Sequence, residues 1–257
     1  MVTRPALLDV PTATSSALAP RSWVWSQHWR DLLFLHWRTS VASVSPHVPI
    51  ELEVDTFDGT AWLSLVVFRL KVRPRWLPFL PGLSSMTEVN LRTYVRHAGR
   101  PGICFLTVHA DNRLAMRLAR LLTPMPYHHA RLRYERLGSG LVFDGSSQSL
   151  SPRQLSVMFR PVGDLREPLD GSVDAWLLER YRLFMEGRRG RRLLEAEVSH
   201  PRWSVQSVEL LDHHGSWGDP DLSRPPDLIH FAPGVQTLFG SFHALPCVPT
   251  GPRPGTL

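Results

Sequence analysis

Met86-Thr87-Glu88-Val89-Asn90-Leu91-Arg92-Thr93-Tyr94-Val95-Arg96 alternates without a break. Side chains of an extended chain point to opposite faces with a period of two. Val89, Leu91, Thr93 and Val95 therefore share one side, and Glu88, Asn90, Arg92 and Tyr94 share the other. An ordinary edge strand also alternates, with its polar side in water. Here that side carries a carboxylate, an amide, a guanidinium and a phenol in consecutive same-side positions. In a closed barrel such a row lines an interior cavity. A lone buried carboxylate there has a raised pKa, and one beside a buried arginine is held charged. A lined cavity and a structural polar face both fit the pattern.

The flanking sequence extends the β reading. Trp23 to Trp37 is aromatic and apolar and is expected to enter a first strand near Leu32. Ser45 to Pro49 reads as a turn, Glu51 to Asp55 as a half-buried strand, and Asp58-Gly59 as a hairpin signal leading into Ala61 to Leu70. That last run is apolar almost throughout, so both its faces are expected to be covered. Pro74, Pro78 and Pro81 make Arg73 to Gly82 a loop, and Gly102 opens a strand over Ile103 to His109.

Asp111 is placed as the cap of a helix over Asn112 to Leu122, with Leu114, Leu118, Leu121 and Leu122 inward. Tyr127 to Arg136 and Gln154 to Arg160 read as strands, with a weak one at Leu141 to Asp144. Ser172 caps a short helix through Glu179. Tyr181 to Met185 and Leu193 to Val198 form a strand pair around an Arg- and Gly-rich turn. Trp203 to Leu210 is another strand, 212–227 a polar loop, and Asp227 to Phe231 a last short strand. Many strands with two short helices predict a mostly β, α+β chain built as an antiparallel barrel-like assembly, not a βαβ fold. The expected organisation is a disordered leader over 1–22, one domain over 23–245 and a disordered tail over 246–257.

The 257 residues are 43% hydrophobic, enough for a substantial core. No apolar run approaches the roughly 20 residues that span a bilayer, and Met1 to Pro20 lacks a secretory h-region. Two cysteines, Cys104 and Cys247, make no disulfide framework. A reducing cytoplasm is the expected compartment. The net charge of +6 invites a nucleic-acid reading. Lys71 is the single lysine, however, and the arginines are spread along the chain. A GC-rich coding sequence produces that bias, and no nucleic-acid or membrane partner is expected.

Chemistry-bearing motifs are few. Pro126-Tyr127-His128-His129 follows the helix, but adjacent histidines on a strand face opposite ways and cannot chelate one metal together. There is no Cys-x-x-Cys, no phosphate loop and no nucleophile elbow, so no metal or cofactor is expected. His36-Trp37 and Glu179-Arg180-Tyr181 mix polar and aromatic groups as pocket walls do, and as barrel interiors do.

Several spaced motifs carry a resemblance. Trp29 with Leu33-Phe34-Leu35-His36-Trp37, Leu52 through Asp58-Gly59, Glu88-x-Asn90-x-Arg92-Thr93-Tyr94-Val95 and Arg100-Pro101-Gly102 occur in order. Pro126-Tyr127-His128-His129-Ala130, Glu179-Arg180-Tyr181 and His230-Phe231-Ala232-Pro233-Gly234-Val235 follow them. Together they resemble the YqjF-like family of uncharacterised bacterial proteins, over about residues 23–240. That family is placed with the acetoacetate decarboxylase-like fold, which implies an antiparallel β assembly enclosing a pocket.

In acetoacetate decarboxylases a lysine forms a Schiff base with the keto acid, a neighbouring lysine lowers its pKa, and an arginine and glutamates complete the site. Matching the stretches without gaps puts that arginine at Arg30 and one glutamate at Glu88, with another near Ser64. The nucleophilic lysine falls on Tyr127 and its neighbour on His128. A tyrosine forms no imine, so the resemblance implies a site without Schiff-base decarboxylation. What it retains is a shell for a small carboxylate or carbonyl ligand. Glu88, Tyr127 and His128 are the candidate catalytic groups, and Arg30, His36, Asn90, Arg92 and Arg180 the candidate binding groups. A lyase or proton-transfer enzyme and a non-catalytic metabolite sensor or carrier are both compatible with that shell. A homo-oligomer is a further expectation, from size and fold type.

Overall fold

The computed structural model describes residues 23–148, 153–187, 192–218 and 222–246. The expected leader (1–22), nearly all of the expected tail and most of the turn around Arg189 lie outside the described residues.

The chain forms strands β1 (Trp23–Thr39), β2 (Glu53–Val54), β3 (Ala61–Pro74), β4 (Ser85–His97), β5 (Arg100–Ala110), β6 (Tyr127–His129) and β7 (Arg131–Leu137). It continues with β8 (Gly140–Ser147), β9 (Arg153–Arg166), β10 (Arg182–Glu186), β11 (Leu193–Ser199), β12 (Val205–Ser216), β13 (Leu228–Gly240) and β14 (His243–Ala244). Three short α-helices interrupt them: α1 (Val41–Val44), α2 (Arg113–Leu122) and α3 (Val173–Leu178).

Strands β11-β10-β5-β4-β3-β1-β13 pair in that order, and β13 pairs back to β11, so they close a barrel-like ring. Most neighbours are antiparallel; β5 pairs in parallel with both β10 and β6. The sheet then leaves the ring through β12 and continues as β9-β8-β7. This second layer lies over the outside of the ring.

Two apolar clusters follow from that geometry. Leu33, Leu35, Leu65, Val67, Val89 and Leu91 pack outward against Tyr134, Phe143, Val157 and Phe159 of the second layer. Phe34, Val66, Phe68, Tyr94, Ile103 and Tyr127 pack inside the ring. The continuous apolar run of β3 is thus buried on both faces, as expected, because one face looks into the barrel and the other is covered by a sheet.

The ends of the ring are closed differently. At one end α3 sets Trp176 with its ring 4.7 Å from that of Tyr94. The other end is bordered by α2 and the loop after β3.

Several expectations are corrected. β1 starts at Trp23, not near Leu32, because residues 23–30 already pair with β3 and β13. Glu51 to Asp55 shortens to two residues that pair with β4 rather than β3. Asp58-Gly59 still turns the chain, with φ of 48° and 76°, but closes only a Phe57–Thr60 bridge. β3 continues through Pro74.

Asn112, not Asp111, caps α2, its side chain accepting from the amides of Leu114 and Ala115. Asp111 instead accepts from the Thr87 amide. The α2 leucines face out, with Leu114 and Leu121 60% and 76% exposed, while Ala115 and Met116 turn in. Tyr127 to Arg136 breaks at Ala130 into strands of different layers, and the segment read as a loop from 212 is strand through Ser216. β13 runs to Gly240 and is not the last strand.

Candidate functional site

β4 carries the site because its register is fixed by two long neighbours. Glu88 faces Phe68 of β3 and Ala110 of β5, and Asn90 faces Val66 and Val108. A slip by one residue would turn the whole polar row into the outer apolar cluster. Glu88, Asn90 and Arg92 line a cavity of about 230 Å³ inside the ring. Phe34, Phe68, Leu70, Ile103, Trp29 and Trp203 supply much of its apolar wall.

Glu88 is buried, with 4% of its surface exposed. Asn90 Nδ2 donates to its Oε1 at 3.0 Å, and Tyr127 Oη donates to its Oε2 at 3.0 Å. Burial pushes the carboxyl up to about 7, and those two hydrogen bonds hold it lower than burial alone would. Burial also pushes the Tyr127 phenol well above its ordinary value, and the adjacent carboxylate adds to the shift. Tyr127 is placed by the parallel pairing of β6 with β5 and by Arg120 of α2, whose Nε donates to the Tyr127 carbonyl at 2.7 Å.

Three arginines line the cavity, and two of them, Arg180 and Arg92, keep a buried guanidinium nitrogen free of any partner in hydrogen bond or ion pair among the described residues. Arg180 is pinned: Nη1 donates to Asp55 at 2.8 Å, Nε donates to the Trp176 carbonyl at 2.6 Å, and the guanidinium lies 4.3 Å from the centre of the Trp176 ring. Its Nη2 has no partner among the described residues. Arg92 is 8% exposed, lies 5.7 Å from the centre of the Phe34 ring, and its buried Nε has no hydrogen-bond partner. No carboxylate forms an ion pair with it among the described residues. A buried guanidinium without a counter-ion is an expensive arrangement, and one that an anion would relieve.

The remaining candidates stand elsewhere. A bulge at Asp31, where φ is 51°, interrupts the β1–β3 register between Arg30 and Leu33. Before it the odd residues Trp25, Gln27 and Trp29 face the cavity; after it the even residue Phe34 does. Arg30 lies just before the bulge, so it faces outward and is exposed. An ungapped match sees no such change of face. His36 is inside the ring but beyond Phe34, outside the cavity lining. Its Nδ1 lies 2.6 Å from Ser64 Oγ, which lies 2.6 Å from Tyr94 Oη. Burial, His230 and Arg92 hold its pKa well below the usual value.

His128 points to the other face of β6 from Tyr127, with its ring 5.5 Å from that of His109. Arg182 and His200 also line the cavity and were not anticipated. Arg182 was legible as the same-side neighbour of Arg180, two residues on; His200 sits after β11 with no pattern to mark it. No group of three or more His, Cys, Asp or Glu among the described residues converges as a metal site. No helix among them is long and apolar enough to cross a membrane.

The model of the DUF2071 family, described as an uncharacterized conserved protein, matches residues 26–236. The chain belongs to the DUF2071 family. This DUF2071 protein is 34% identical over 225 residues to the uncharacterized protein YqjF of Bacillus subtilis (strain 168), covering 84% of this chain and 90% of that one. Its fold is shared with solved acetoacetate decarboxylase-like structures. The acetoacetate decarboxylase from Legionella pneumophila superposes with a TM-score of 0.59 at 12% identity, over 93% of each chain. The enduracididine biosynthesis enzyme MppR complexed with pyruvate superposes with a TM-score of 0.58 at 17% identity, over 91% of this chain and 94% of that one. At such identities the DUF2071 chain shares the fold with these enzymes, and its site has to be read from its own residues. No lysine lines the cavity, and Lys71 is exposed on the opposite face of β3 from Leu70 and Val72.

Proposed function

We propose that this DUF2071 protein binds a small carboxylate or carbonyl acid inside the ring, with Arg92 receiving the carboxylate and Glu88 exchanging a proton with the ligand. The observation that carries this reading is the pairing, on one face of one strand, of a buried guanidinium that has no counter-ion among the described residues with a buried carboxyl whose pKa burial pushes up to about 7. Arginine offers paired donors to a carboxylate. A carboxyl near pH 7 both gives and takes protons efficiently. The Tyr127 phenol, a donor beside it, suits a carbonyl or enolate oxygen. MppR, whose fold is the same, is complexed with pyruvate in a solved structure, which agrees with a ligand of this class.

The chemistry open to this set is proton transfer without an imine. Ionised Glu88 takes a proton from the carbon next to a carbonyl and returns it, with no net gain or loss by the protein. A carrier or sensor without turnover is the second reading, favoured by the two hydrogen bonds that already hold Glu88 in place. Cys104 is buried and in no disulfide among the described residues, which agrees with a cytoplasmic setting.

The deciding experiment incubates the protein with pyruvate and with acetoacetate, with and without borohydride, in deuterated water. Mass unchanged by borohydride together with deuterium exchange into pyruvate that E88Q abolishes supports proton transfer. Binding without exchange supports the carrier. A borohydride-trapped adduct overturns the imine-free reading.

A further inference from the structure

The cavity is polar at one depth and apolar along the rest of its length. Glu88 lies level with Phe68 of β3, and Asn90 with Val66. From there the same face of β3 continues to line the cavity through Leu70, Val72 and Pro74. At roughly 3.3 Å per residue, Phe68 to Pro74 carries the lining about 20 Å beyond Glu88. The mouth is formed by Leu77 and Leu80 of the loop after β3 and by Leu118 and Leu122 of α2. Each of these leucines both lines the cavity and reaches the surface, Leu77 and Leu122 being about half exposed.

Polar groups along this outer stretch are already satisfied. Gln27 Oε1 accepts from Trp29 Nε1 at 2.7 Å, Ser84 Oγ accepts from the Leu80 amide at 2.7 Å, and Thr123 Oγ1 donates to the Ala119 carbonyl at 2.8 Å. The open donors and acceptors of the inner end are Arg92 Nε, Arg180 Nη2 and the Asn90 Oδ1 acceptor; Arg182 Nε, also in the lining and also without a hydrogen bond, lies 3.1 Å from Glu195 Oε1 and has its charge met there. A pyruvate-sized molecule would satisfy that end and leave the long apolar stretch unfilled. Apolar walls gain when an apolar group replaces water there.

We infer that the ligand is an amphipathic acid, with its carboxylate or keto-acid head at Arg92 and Glu88 and a medium-length hydrocarbon tail lying along β3 to the leucine-rimmed mouth. This rests on the head-group reading above and adds the tail. Of the outward leucines of α2, Leu118 and Leu122 border the entrance, and a tail passes between them and the loop after β3.

The test is calorimetric titration with butyrate, hexanoate, octanoate and decanoate, each below its micelle concentration, with 1-decanol as the headless probe. The tail predicts a 1:1 complex whose affinity rises by about fourfold for each added CH2, with decanol bound more weakly than decanoate. L118D, at an already half-exposed position, is expected to weaken decanoate and leave butyrate unchanged. Butyrate binding as tightly as decanoate, with L118D indifferent, would overturn the tail and leave the head reading standing. Decanol binding as tightly as decanoate, or decanoate binding unchanged in R92M, would overturn the head reading and the inference with it. Absence of binding by every probe would overturn both.

Discussion

Tyr127 donates to Glu88 across 3.0 Å inside the barrel, from a strand that joins the ring only through a three-residue parallel pairing. That contact occupies the place where the resemblance to acetoacetate decarboxylases puts an imine-forming lysine. On that resemblance a hydrogen-bond donor stands where a nucleophile is expected, and it restrains the carboxyl whose burial would otherwise drive its pKa higher.

Glu88 makes stability depend on pH. Its pKa is about 7 when folded and near the ordinary carboxylate value when unfolded. The protonated form is therefore favoured by folding. Its contribution is fully present below the unfolded pKa and is lost as pH rises through about 7, a change on the order of 3 kcal/mol. Urea denaturation at about pH 5 and pH 8 is expected to show the wild type losing stability relative to E88Q over that interval. Parallel pH dependence in the two proteins would mean that Glu88 titrates normally.

Y127F removes a donor that favours the ionised carboxyl, so the Glu88 pKa rises further. A carbon-detected NMR titration of the glutamate carboxyls reads this directly. The lost hydrogen bond is expected to cost about 1 kcal/mol of stability. A Glu88 pKa unchanged in Y127F would show that the phenol does not govern the carboxyl.

R92M exchanges a buried guanidinium, without a counter-ion among the described residues, for an apolar chain of comparable length. The ligand-free variant is expected to be more stable by on the order of 1 kcal/mol, while affinity for carboxylates falls at least tenfold. A destabilised R92M would instead assign Arg92 a structural role.

G102A tests the closure of the ring. A Cβ at Gly102 would come within 2.6 Å of the Phe184 ring and 2.8 Å of the Arg182 carbonyl. The methyl would wedge β5 away from β10, whose parallel pairing is a short segment of the ring. The expected cost is about 1–3 kcal/mol, read as a lowered urea midpoint. Unchanged stability would mean that this pairing yields without loss.

The polar face of β4, the two-sided burial of β3 and the mostly β architecture were legible because period-two alternation survives in long strands. The orientation of Arg30 was not, because a single bulge at Asp31 exchanges the two faces of β1 and leaves no mark in an ungapped match. The α2 leucines misled for a different reason. A helical apolar stripe reads as a core face, but here Leu118 and Leu122 border a mouth, Leu114 and Leu121 are exposed, and the small Ala115 and the Met116 side chain do the packing. Arg92 was named from its place in the alternation. That it lacks a counter-ion among the described residues depends on which carboxylates come near in space: Asp55 is taken by Arg180 and Arg96, and Glu195 by Arg100.

The measurement that bears most directly on the site is a thermal-shift comparison of wild type, E88Q and R92M with pyruvate and the carboxylate series. At 100 times its dissociation constant a ligand adds about 2.7 kcal/mol, which for a chain of this size raises Tm by roughly 5–11 °C. The site described here predicts that shift for the wild type and its loss in R92M. A ligand shift of the same size in R92M would place the binding elsewhere and contradict the assignment of Arg92 and its cavity.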